Sequence, residues 1–324
     1  MARDILIIGA GVSGLSAGIR LQEQGIQTRI LTRARSPHTT SDRAAAIWFP
    51  YQAQPADRVA VWCRSSLQAF DALCGEPASG VSITSFIRLY REPMPDPLWM
   101  SVLPGRHRRC RPEELPAGFV DGVLTRVPLI EVQRYMPWLM SRYRALGGSI
   151  TDGELHTLSG LVDQHDIVVN CAGLGARALV GDSRLYPIRG QLLYVQGWTG
   201  RTAWSSDIDP EALAYIIPRS DVCVLGGSAR ANRWEKEADE QVASEILERC
   251  AEIVPAIEGI EVVRQVVGLR PGRDAIRLER VMHPSGLVVV HNYGHGGAGF
   301  TLSWGCADEV ARLVAEVQCG TRWL

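Results

Sequence analysis

The first residues that could do chemistry are three glycines near the start of the chain. Gly9, Gly11 and Gly14 form the pattern GxGxxG, directly after the apolar run Ile5–Ile8 and before a helical pattern. In a strand–turn–helix unit, the first glycine permits a tight turn, the second lets a pyrophosphate approach the backbone, and the third allows the helix to pack closely on the strand. The N–H groups and the dipole at the helix start attract the phosphates. The pattern therefore predicts a dinucleotide-binding turn.

The residue that usually follows the second strand of such a unit is missing. An acid at that position would hold the ribose hydroxyls, but the sequence runs Leu31-Thr32-Arg33-Ala34. Arg33 would instead approach the adenosine or its phosphates. This motif alone therefore leaves an NADP site open as an alternative.

A second glycine-rich stretch lies near the end of the chain. The segment HNYGHGGAGFTLSWG, residues 291–305, holds five glycines and follows the apolar run 287–290. Glycine costs backbone entropy, so a cluster of glycines indicates that a ligand approaches the backbone closely. An amphipathic helix is predicted over 301–317. A nicotinamide dinucleotide does not require this second strand-to-helix turn, which argues against the NADP alternative.

Several segments together resemble one family, the FAD-containing D-amino-acid oxidases, in their bacterial type. The C-terminal motif is specific to that family and to its relative D-aspartate oxidase. The similar segments run in the same order from Ile5 to Val310. They are GAGVSGLS, HTTSDRAAAIWFPY, VVNCAG, PIRGQ, YIIP, GLRPGRDAIRLE and VVVHNYGHGGAGFTLSWGCADEV.

The resemblance implies oxidative deamination of D-amino acids. The hydrogen on the substrate alpha carbon passes as hydride to flavin N5, and the products are a 2-oxo acid, ammonia and, from molecular oxygen, hydrogen peroxide. D-aspartate oxidase or a specialised amine or imino-acid oxidase is the near alternative. A substrate with a side-chain carboxylate would need a second cation in the pocket, and no position in the sequence demands one. A flavin-binding protein without turnover is the remote alternative.

The resemblance also implies the substrate contacts. Arg270, in GLRPGR, is expected to bind the substrate carboxylate in a bidentate pair, as a planar guanidinium does. Tyr215, in YIIP, is expected to donate its hydroxyl to the same carboxylate. Gly297 is expected at the reacting end of the flavin ring. Tyr293 and His295, although chemically capable, are interpreted as structural.

The expected FAD contacts come from six parts of the chain: 9–14, 33–34, 39–47, 155, 172 and 296–301. The segment Gly294–Gly299 is expected to pass along the isoalloxazine ring, and Thr301 to begin a helix whose N-terminus stabilises negative charge on the reduced flavin. The implied contacts in full are Gly9, Gly11, Val12, Ser13, Gly14, Arg33, Ala34, Thr39, Thr40, Ser41, Ala45, Ala46, Ile47, Leu155, Ala172, Gly296, Gly297, Gly299, Phe300 and Thr301.

The chain departs from the family pattern at two points. Ala46 stands where relatives often have glycine, so contact with the flavin there is expected to differ. The segment DPEALAY, residues 209–215, is shorter than the lid of eukaryotic members and lacks a second tyrosine. The short segment puts lid gating in doubt.

Composition excludes several other functions. The 324 residues carry a formal net charge of -1, which gives no reason to expect nucleic acid or a membrane surface as a partner. Lys236 is the single lysine, and it is interpreted as a surface residue on a helix, so Schiff-base chemistry is not expected. The eight cysteines show no metal-ligand spacing. They are interpreted as free thiols of a cytoplasmic protein without a metal; whether the protein is a homodimer is left open.

Neither end of the sequence carries a recognisable address. The chain enters a strand pattern almost at once, so no signal peptide is expected. Its last residues, 321–324, are not a peroxisomal signal.

The order of elements predicts an α/β fold of two domains. A Rossmann-like FAD-binding domain is expected over residues 1–50, 129–185 and 281–324. An inserted α+β substrate domain, built on a mainly antiparallel sheet, is expected over 51–128 and 186–280. This division follows from nucleotide-type elements at the beginning, middle and end of the chain, with alternating strand patterns between them.

Overall fold

The computed structural model describes residues 3–50, 52–207 and 211–320. The strands are β1 (Ile5–Ile8), β2 (Thr28–Thr32), β3 (Val81–Tyr90), β4 (His107–Arg109), β5 (Asp121–Ile130), β6 (Ser149–Asp152), β7 (Ile167–Asn170), β8 (Tyr186–Val195), β9 (Ala203–Asp207), β10 (Ala212–Pro218), β11 (Cys223–Ser228), β12 (Arg230–Ala231), β13 (Val262–Gly272), β14 (Arg277–Met282) and β15 (Val288–Tyr293). The helices are α1 (Val12–Glu23), α2 (Ala56–Leu73), α3 (Val132–Ala145), α4 (Ala176–Leu179), α5 (Glu240–Ile253) and α6 (Gly299–Gln318).

The first sheet has six strands in the order β14-β15-β7-β1-β2-β6, and all neighbours are parallel except β14 and β15. Ile5 and Ile7 face a core shared with the helices, while Leu6 and Ile8 face a second apolar cluster. Covering on both faces explains why β1 is apolar throughout. Because the parallel strands run the same way, their carboxyl ends meet at one edge, where ligands bind in such sheets.

The second sheet has nine strands. Eight follow the order β12-β8-β11-β10-β9-β3-β5-β4, and β13 pairs with β8. It is antiparallel except for the pair β3 and β9. One face packs on α5. Register pairing sets one cross-strand row on the opposite face: Val266, Leu192, Gly226, Tyr215, Ser205 and Arg88.

The predicted elements are found, with corrections to three of them. α6 begins at Gly299, two residues before Thr301, since the glycine-rich turn winds directly into the helix. The segment PLIEVQRYMPWLMSRYRALGG, residues 128–148, also predicts a helix with a glycine stop. That helix, α3, begins at Val132, because residues 128–130 complete β5. Lys236 lies in a loop that precedes α5, so its charged neighbours do not form a helical face.

We propose that the chain divides into two units, one around each sheet, with the boundaries expected from the sequence except at one point. β14 belongs to the six-stranded sheet and begins at Arg277, which places the last boundary near residue 277. Helix α2, which begins the inserted stretch, packs against α6 of the first unit.

Candidate active site

The three glycines of the first turn lie in three different environments, and each environment gives a different reason for a glycine. Gly9 has a φ of +104°, and a Cβ there would lie 2.5 Å from the carbonyl oxygen of Cys171. A Cβ on Gly14 would lie 1.9 Å from the oxygen of Gly9, so this glycine lets α1 pack on β1. Gly11 has extended backbone angles that any residue adopts, and a Cβ would meet only the Ser41 hydroxyl, at 3.2 Å. Gly11 is therefore required by what binds beside it, not by the fold.

A loop closes over the start of α1. The Ser41 hydroxyl accepts from the N–H of Val12 at 3.0 Å. Asp42 fixes this loop by accepting from the N–H and the hydroxyl of Thr39, at 2.9 and 2.6 Å. No acidic side chain lies in the first turn of α1. The turn keeps the positive potential that binds phosphate groups.

This turn opens into a cavity of about 940 Å³ between the two sheets. Every residue expected to contact FAD lines it except Gly14, whose position against Gly9 keeps it out of the cavity. Tyr215 and Arg270 line the same cavity. The structure thus brings together, from all parts of the described chain, Gly9, Gly11, Val12, Ser13, Arg33, Ala34, Thr39, Thr40, Ser41, Ala45, Ala46, Ile47, Leu155, Ala172, Tyr215, Arg270, Gly296, Gly297, Gly299, Phe300 and Thr301.

The edge of the cavity beside β2 carries an acid that the sequence did not reveal. Arg33 pairs with Glu154 at 3.2 Å, and both side chains are largely exposed. Glu154 follows β6, which lies beside β2 in the sheet, and it lines the cavity. An acid missing from the end of one strand is thus supplied by the neighbouring strand.

Side chains that pack against the loop after β15 hold it in place. Gly294 and Gly296 have positive φ, at +84° and +53°. A Cβ on Gly294 would lie 3.0 Å from the side chain of Arg273, and that arginine donates to Asp182 at 3.0 Å. Tyr293 donates its hydroxyl to the same carboxylate at 2.9 Å. Arg273 and Tyr293 therefore both support this loop through Asp182.

Helix α6 presents its N-terminus to the cavity. Its N-cap is Ala298, which makes no side-chain cap, and its first turn holds no acid. The Thr301 hydroxyl accepts from the N–H of Phe49 at 3.1 Å and donates to the carbonyl of Phe49 at 2.9 Å. Thr301 therefore ties α6 to the segment that lines the opposite wall.

Ala46 has a φ of +56°. This left-handed conformation favours glycine, because a Cβ there crowds the backbone. Alanine at this position, where relatives often have glycine, therefore makes the backbone more strained.

Arg270 lies with its guanidinium flat against β8. A Cβ on Gly190 would stand 2.2 to 2.5 Å from three atoms of that guanidinium. Its Nη1 donates to the carbonyl of Ser228 at 2.9 Å. No ion pair to Arg270 is found within residues 3–50, 52–207 and 211–320. A cation on a cavity wall without a counterion is a site for an anion.

Tyr215 lies flat over another glycine pair. Cβ atoms on Gly226 and Gly227 would stand 1.9 and 2.8 Å from atoms of the phenol. Burial raises the pKa of Tyr215, while the charge of Arg270 and a hydrogen bond to it oppose the shift. The phenol is therefore a neutral donor at physiological pH, and it stands beside the cation.

The far part of the cavity is apolar with one cation. Phe49 packs edge-on against Phe86, at 5.5 Å between ring centroids. Arg88 is buried next to them, with its guanidinium 5.6 Å from the Phe49 ring, and it donates to the Ser205 hydroxyl at 2.5 Å. The sequence did not mark Arg88, since only the sheet register places it two strands from Tyr215.

The cavity suits an anionic dinucleotide such as FAD. Asn292 and His295 line it with buried polar atoms that lack a hydrogen-bond partner. Burial lowers the pKa of His295 to about 4, so its imidazole is neutral. Among the described lining residues Glu154 is the only acid, against five arginine and lysine side chains: Arg33, Arg43, Arg88, Lys236 and Arg270.

No cluster of metal-ligating side chains occurs in the part of the chain that the structure describes. The eight cysteines are all free, and five of them are buried.

The chain is similar over nearly its whole length to known flavin-dependent oxidases. The sequence model of the FAD dependent oxidoreductase family (DAO) matches residues 4–313. A D-amino-acid oxidase of Rubrobacter xylanophilus is 42% identical over 309 residues, covering 95% of this chain and 94% of that protein. A D-aspartate oxidase of Homo sapiens is 34% identical over 328 residues, covering 96% of this chain and 94% of that protein.

The fold is also that of known oxidases. A glycine oxidase from Bacillus cereus superimposes with a TM-score of 0.81 at 18% sequence identity, covering 97% of each chain. The predicted fold class, a dinucleotide-binding unit joined to a mainly antiparallel sheet, is confirmed. The family match spans nearly the whole sequence, and the residues around the cavity suit its cofactor; the chain belongs to the DAO family of FAD-dependent oxidoreductases.

Proposed function

We propose that this enzyme oxidatively deaminates D-amino acids, with FAD as cofactor and molecular oxygen as the final electron acceptor. One observation carries the proposal. A carboxylate-binding pair, Arg270 and Tyr215, lines the same cavity as the dinucleotide turn. The names of the full-length relatives, D-amino-acid oxidase at 42% and 39% identity, support the D configuration.

Arg270 is the anchor for the substrate carboxylate. Its Nη1 donates to the carbonyl of Ser228 and the guanidinium also bonds to the phenol of Tyr215, but its charge has no counterion among the described residues. A substrate carboxylate would supply that counterion through two parallel charge-assisted hydrogen bonds. Tyr215 adds a third bond, because its raised pKa keeps the hydroxyl protonated. The three bonds fix the orientation of the alpha carbon before reaction.

The turn at Gly9–Gly14, the loop Thr39–Ser41 and the N-terminus of α6 would hold FAD. When bound, FAD accepts the hydride and returns the electrons to oxygen. The first turn of α6 supplies N–H donors and positive potential without an acidic neighbour. These N–H donors and this positive potential would stabilise negative charge that develops next to the first turn of α6 during the reaction.

The described site offers no carboxylate as a base for the substrate amine. Glu154, the only acid among the described lining residues, is paired with Arg33 at the β2 edge. Burial lowers the pKa of His295 to about 4, which makes its imidazole a weak base. We therefore propose that the amine reacts in its neutral form, and that the protein contributes position and electrostatics.

D-aspartate is the second candidate substrate, and Arg88 favours it. This buried arginine lies on the cavity wall, separated from Tyr215 by one strand, or roughly 10 Å between Cα atoms at ordinary strand spacing. It is the second cation that a side-chain carboxylate requires. The apolar ring pair beside it favours neutral side chains instead.

We place the enzyme in the cytoplasm, and the free thiols support this. No helix of the described residues is long and apolar enough to cross a membrane. Whether two copies form a homodimer is a matter for sizing of the purified protein.

A spectrum and a substrate panel test the function. The purified protein should be yellow, with the absorption of bound flavin. Peroxide should appear with D-amino acids and not with their L enantiomers, and D-aspartate and D-glutamate belong in the panel with D-alanine and D-leucine. A colourless protein that is reduced by NADPH, or turnover of L enantiomers only, would overturn the proposal.

A further inference from the structure

Arg43 is a half-buried cation on the cavity wall that the contacts described above leave unexplained. Within the described residues its guanidinium makes no ion pair and no hydrogen bond. The other arginines of the wall are engaged: Arg33 with Glu154, Arg88 with Ser205 and Arg270 with Ser228. A partly desolvated charge without a partner is unfavourable, so an anion in the cavity would stabilise it.

A glycine of β13 leaves room for the side chain of Arg43. A Cβ on Gly268 would lie 2.8 Å from the Cβ of Arg43, so only glycine leaves room for the arginine at this point of β13. Gly268 pairs with Gly190, the glycine that lies beneath the guanidinium of Arg270. Paired residues of antiparallel strands face the same side. Arg43 and Arg270 therefore approach the cavity over neighbouring glycines, and their mutual repulsion adds to the need for an anion.

Arg43 is also close to the expected phosphate cradle. It ends the short 3-10 helix Ser41–Arg43, in which two residues advance by about 4 Å. Ser41 binds the first N–H of α1, that of Val12. One amide donor at the helix start is thus already used within the protein. A nearby cation would supply the charge that this cradle lacks.

We propose that Arg43 binds the pyrophosphate of FAD. Guanidinium groups pair with phosphate oxygens through two parallel hydrogen bonds, which a half-buried site strengthens. The inference rests on the proposed function only in taking FAD as the occupant. The pyrophosphate carries its charge in both oxidation states of the cofactor, whereas the ring gains charge only on reduction. Arg43 therefore strengthens the binding of oxidised and reduced FAD equally and leaves the midpoint potential unchanged.

Three variants of the full-length protein test this: Arg43→Gln, Arg43→Lys and, as a matched control, Arg264→Gln. Arg264 is an exposed arginine of the same strand β13 and does not line the cavity. FAD is titrated into flavin-free protein at low and high salt, with quenching of flavin fluorescence as the signal, and the midpoint potential of each reconstituted protein is measured. No substrate is needed, so a failure to oxidise D-amino acids would not affect the outcome.

For Arg43→Gln the Kd for FAD should rise roughly 10- to 100-fold, the effect of losing a hydrogen bond between charged groups. The loss should shrink at high salt. Arg43→Lys should recover part of the affinity and should keep the fold if the glutamine variant does not. An unchanged Kd in Arg43→Gln, or an equal loss in Arg264→Gln, would overturn the proposal. So would a changed midpoint potential at unchanged affinity for oxidised FAD, which would put Arg43 at the ring.

Discussion

Both polar side chains of the proposed substrate site lie flat on glycines. The guanidinium of Arg270 covers Gly190, and the phenol of Tyr215 covers Gly226. A flat seat fixes the plane of each group without using its hydrogen-bonding atoms. Apart from the bonds of Arg270 to Ser228 and Tyr215, their donors remain available to a ligand, which is the kind of preorganisation that binding sites require.

The first prediction concerns Gly190, on which the guanidinium of Arg270 lies. Gly190→Ala places a methyl group within 2.5 Å of the guanidinium, and the flexible arginine can move away at little cost to folding. We expect kcat/KM on the best D-amino acid to fall by a factor of about ten to a hundred, as for loss of a charged hydrogen bond. The thermal midpoint should stay close to that of the wild type. Steady-state kinetics and a melting curve would check this; normal kcat/KM would show that the guanidinium does not act from this position.

Arg270 and Tyr215 should differ in importance. Arg270→Ala removes a charge and two hydrogen bonds to a desolvated carboxylate, worth roughly 3–5 kcal/mol. Tyr215→Phe removes one hydrogen bond, worth roughly 1.5–3 kcal/mol. The arginine variant should lose about a hundredfold to several thousandfold in kcat/KM, and the tyrosine variant about tenfold to a hundredfold. The flavin spectrum should be unchanged in both; equal losses would contradict the proposed pose.

Ala46 gives a prediction about stability. Its positive φ costs a residue other than glycine roughly 1–2 kcal/mol, while glycine loses about 0.4–1 kcal/mol through the entropy of the unfolded chain. We expect Ala46→Gly to raise the free energy of unfolding by up to about 1.6 kcal/mol, the difference of these effects. Ala46→Val should lower it. Denaturant melts of both variants would check the signs.

At the scale of elements, the turn from β1 to α1 contains one glycine that we expect the fold to need, Gly14, and one that we expect FAD binding to need, Gly11. Gly14→Ala drives a methyl group into the backbone oxygen of Gly9, and we expect a loss of about 2–3 kcal/mol in unfolding free energy. Gly11→Val keeps an allowed backbone conformation and should retain the fold while FAD no longer binds. Melting curves of the flavin-free proteins, with FAD titrations, measure both effects. A Gly11→Val protein that binds FAD normally would show that the pyrophosphate lies elsewhere.

The loop after β15 is also shaped by contacts within the protein. Gly294 lies over Arg273, Arg273 binds Asp182, and Asp182 accepts the hydroxyl of Tyr293. These contacts fix the loop within the protein. A rigid glycine turn followed by α6 presents backbone N–H groups in a constant position.

At the scale of the whole molecule, two buried histidines set the response to acid. Burial lowers the pKa of His291 to about 3 and that of His295 to about 4, both from 6.5. The unfolded chain therefore binds protons that the folded protein excludes, and stability is lost as the pH falls from 6.5 toward these values. Each histidine should contribute a loss of up to about 2 kcal/mol between pH 6.5 and pH 5.

Thermal midpoints at pH 7 and pH 5 check the effect. The drop between the two should be smaller in His291→Gln than in the wild type. His283→Gln, on the turn between β14 and β15, is the matched control and should keep the full drop. An identical drop in all three proteins would mean that His291 is protonated in the folded state at pH 5.

The sequence alone determined the dinucleotide turn, the glycine-rich C-terminal loop and the family. These are local features, since a glycine pattern between an apolar run and a helical pattern has one structural meaning in that context. The predictions of the fold class, the FAD cofactor and the enzyme class are confirmed. The motif GLRPGR was enough to single out Arg270, although nothing in it revealed the glycine beneath.

Only the tertiary structure decided which distant residues meet. Glu154 reaches the β2 edge because β6 pairs with β2, and Arg88 reaches the row of Tyr215 because β9 lies between their strands. Arg43 became noticeable because it lies over Gly268, more than two hundred residues away. Sheet register and cross-chain packing set these contacts, and neither leaves a periodic signal in the neighbouring sequence, because each depends on two segments at once.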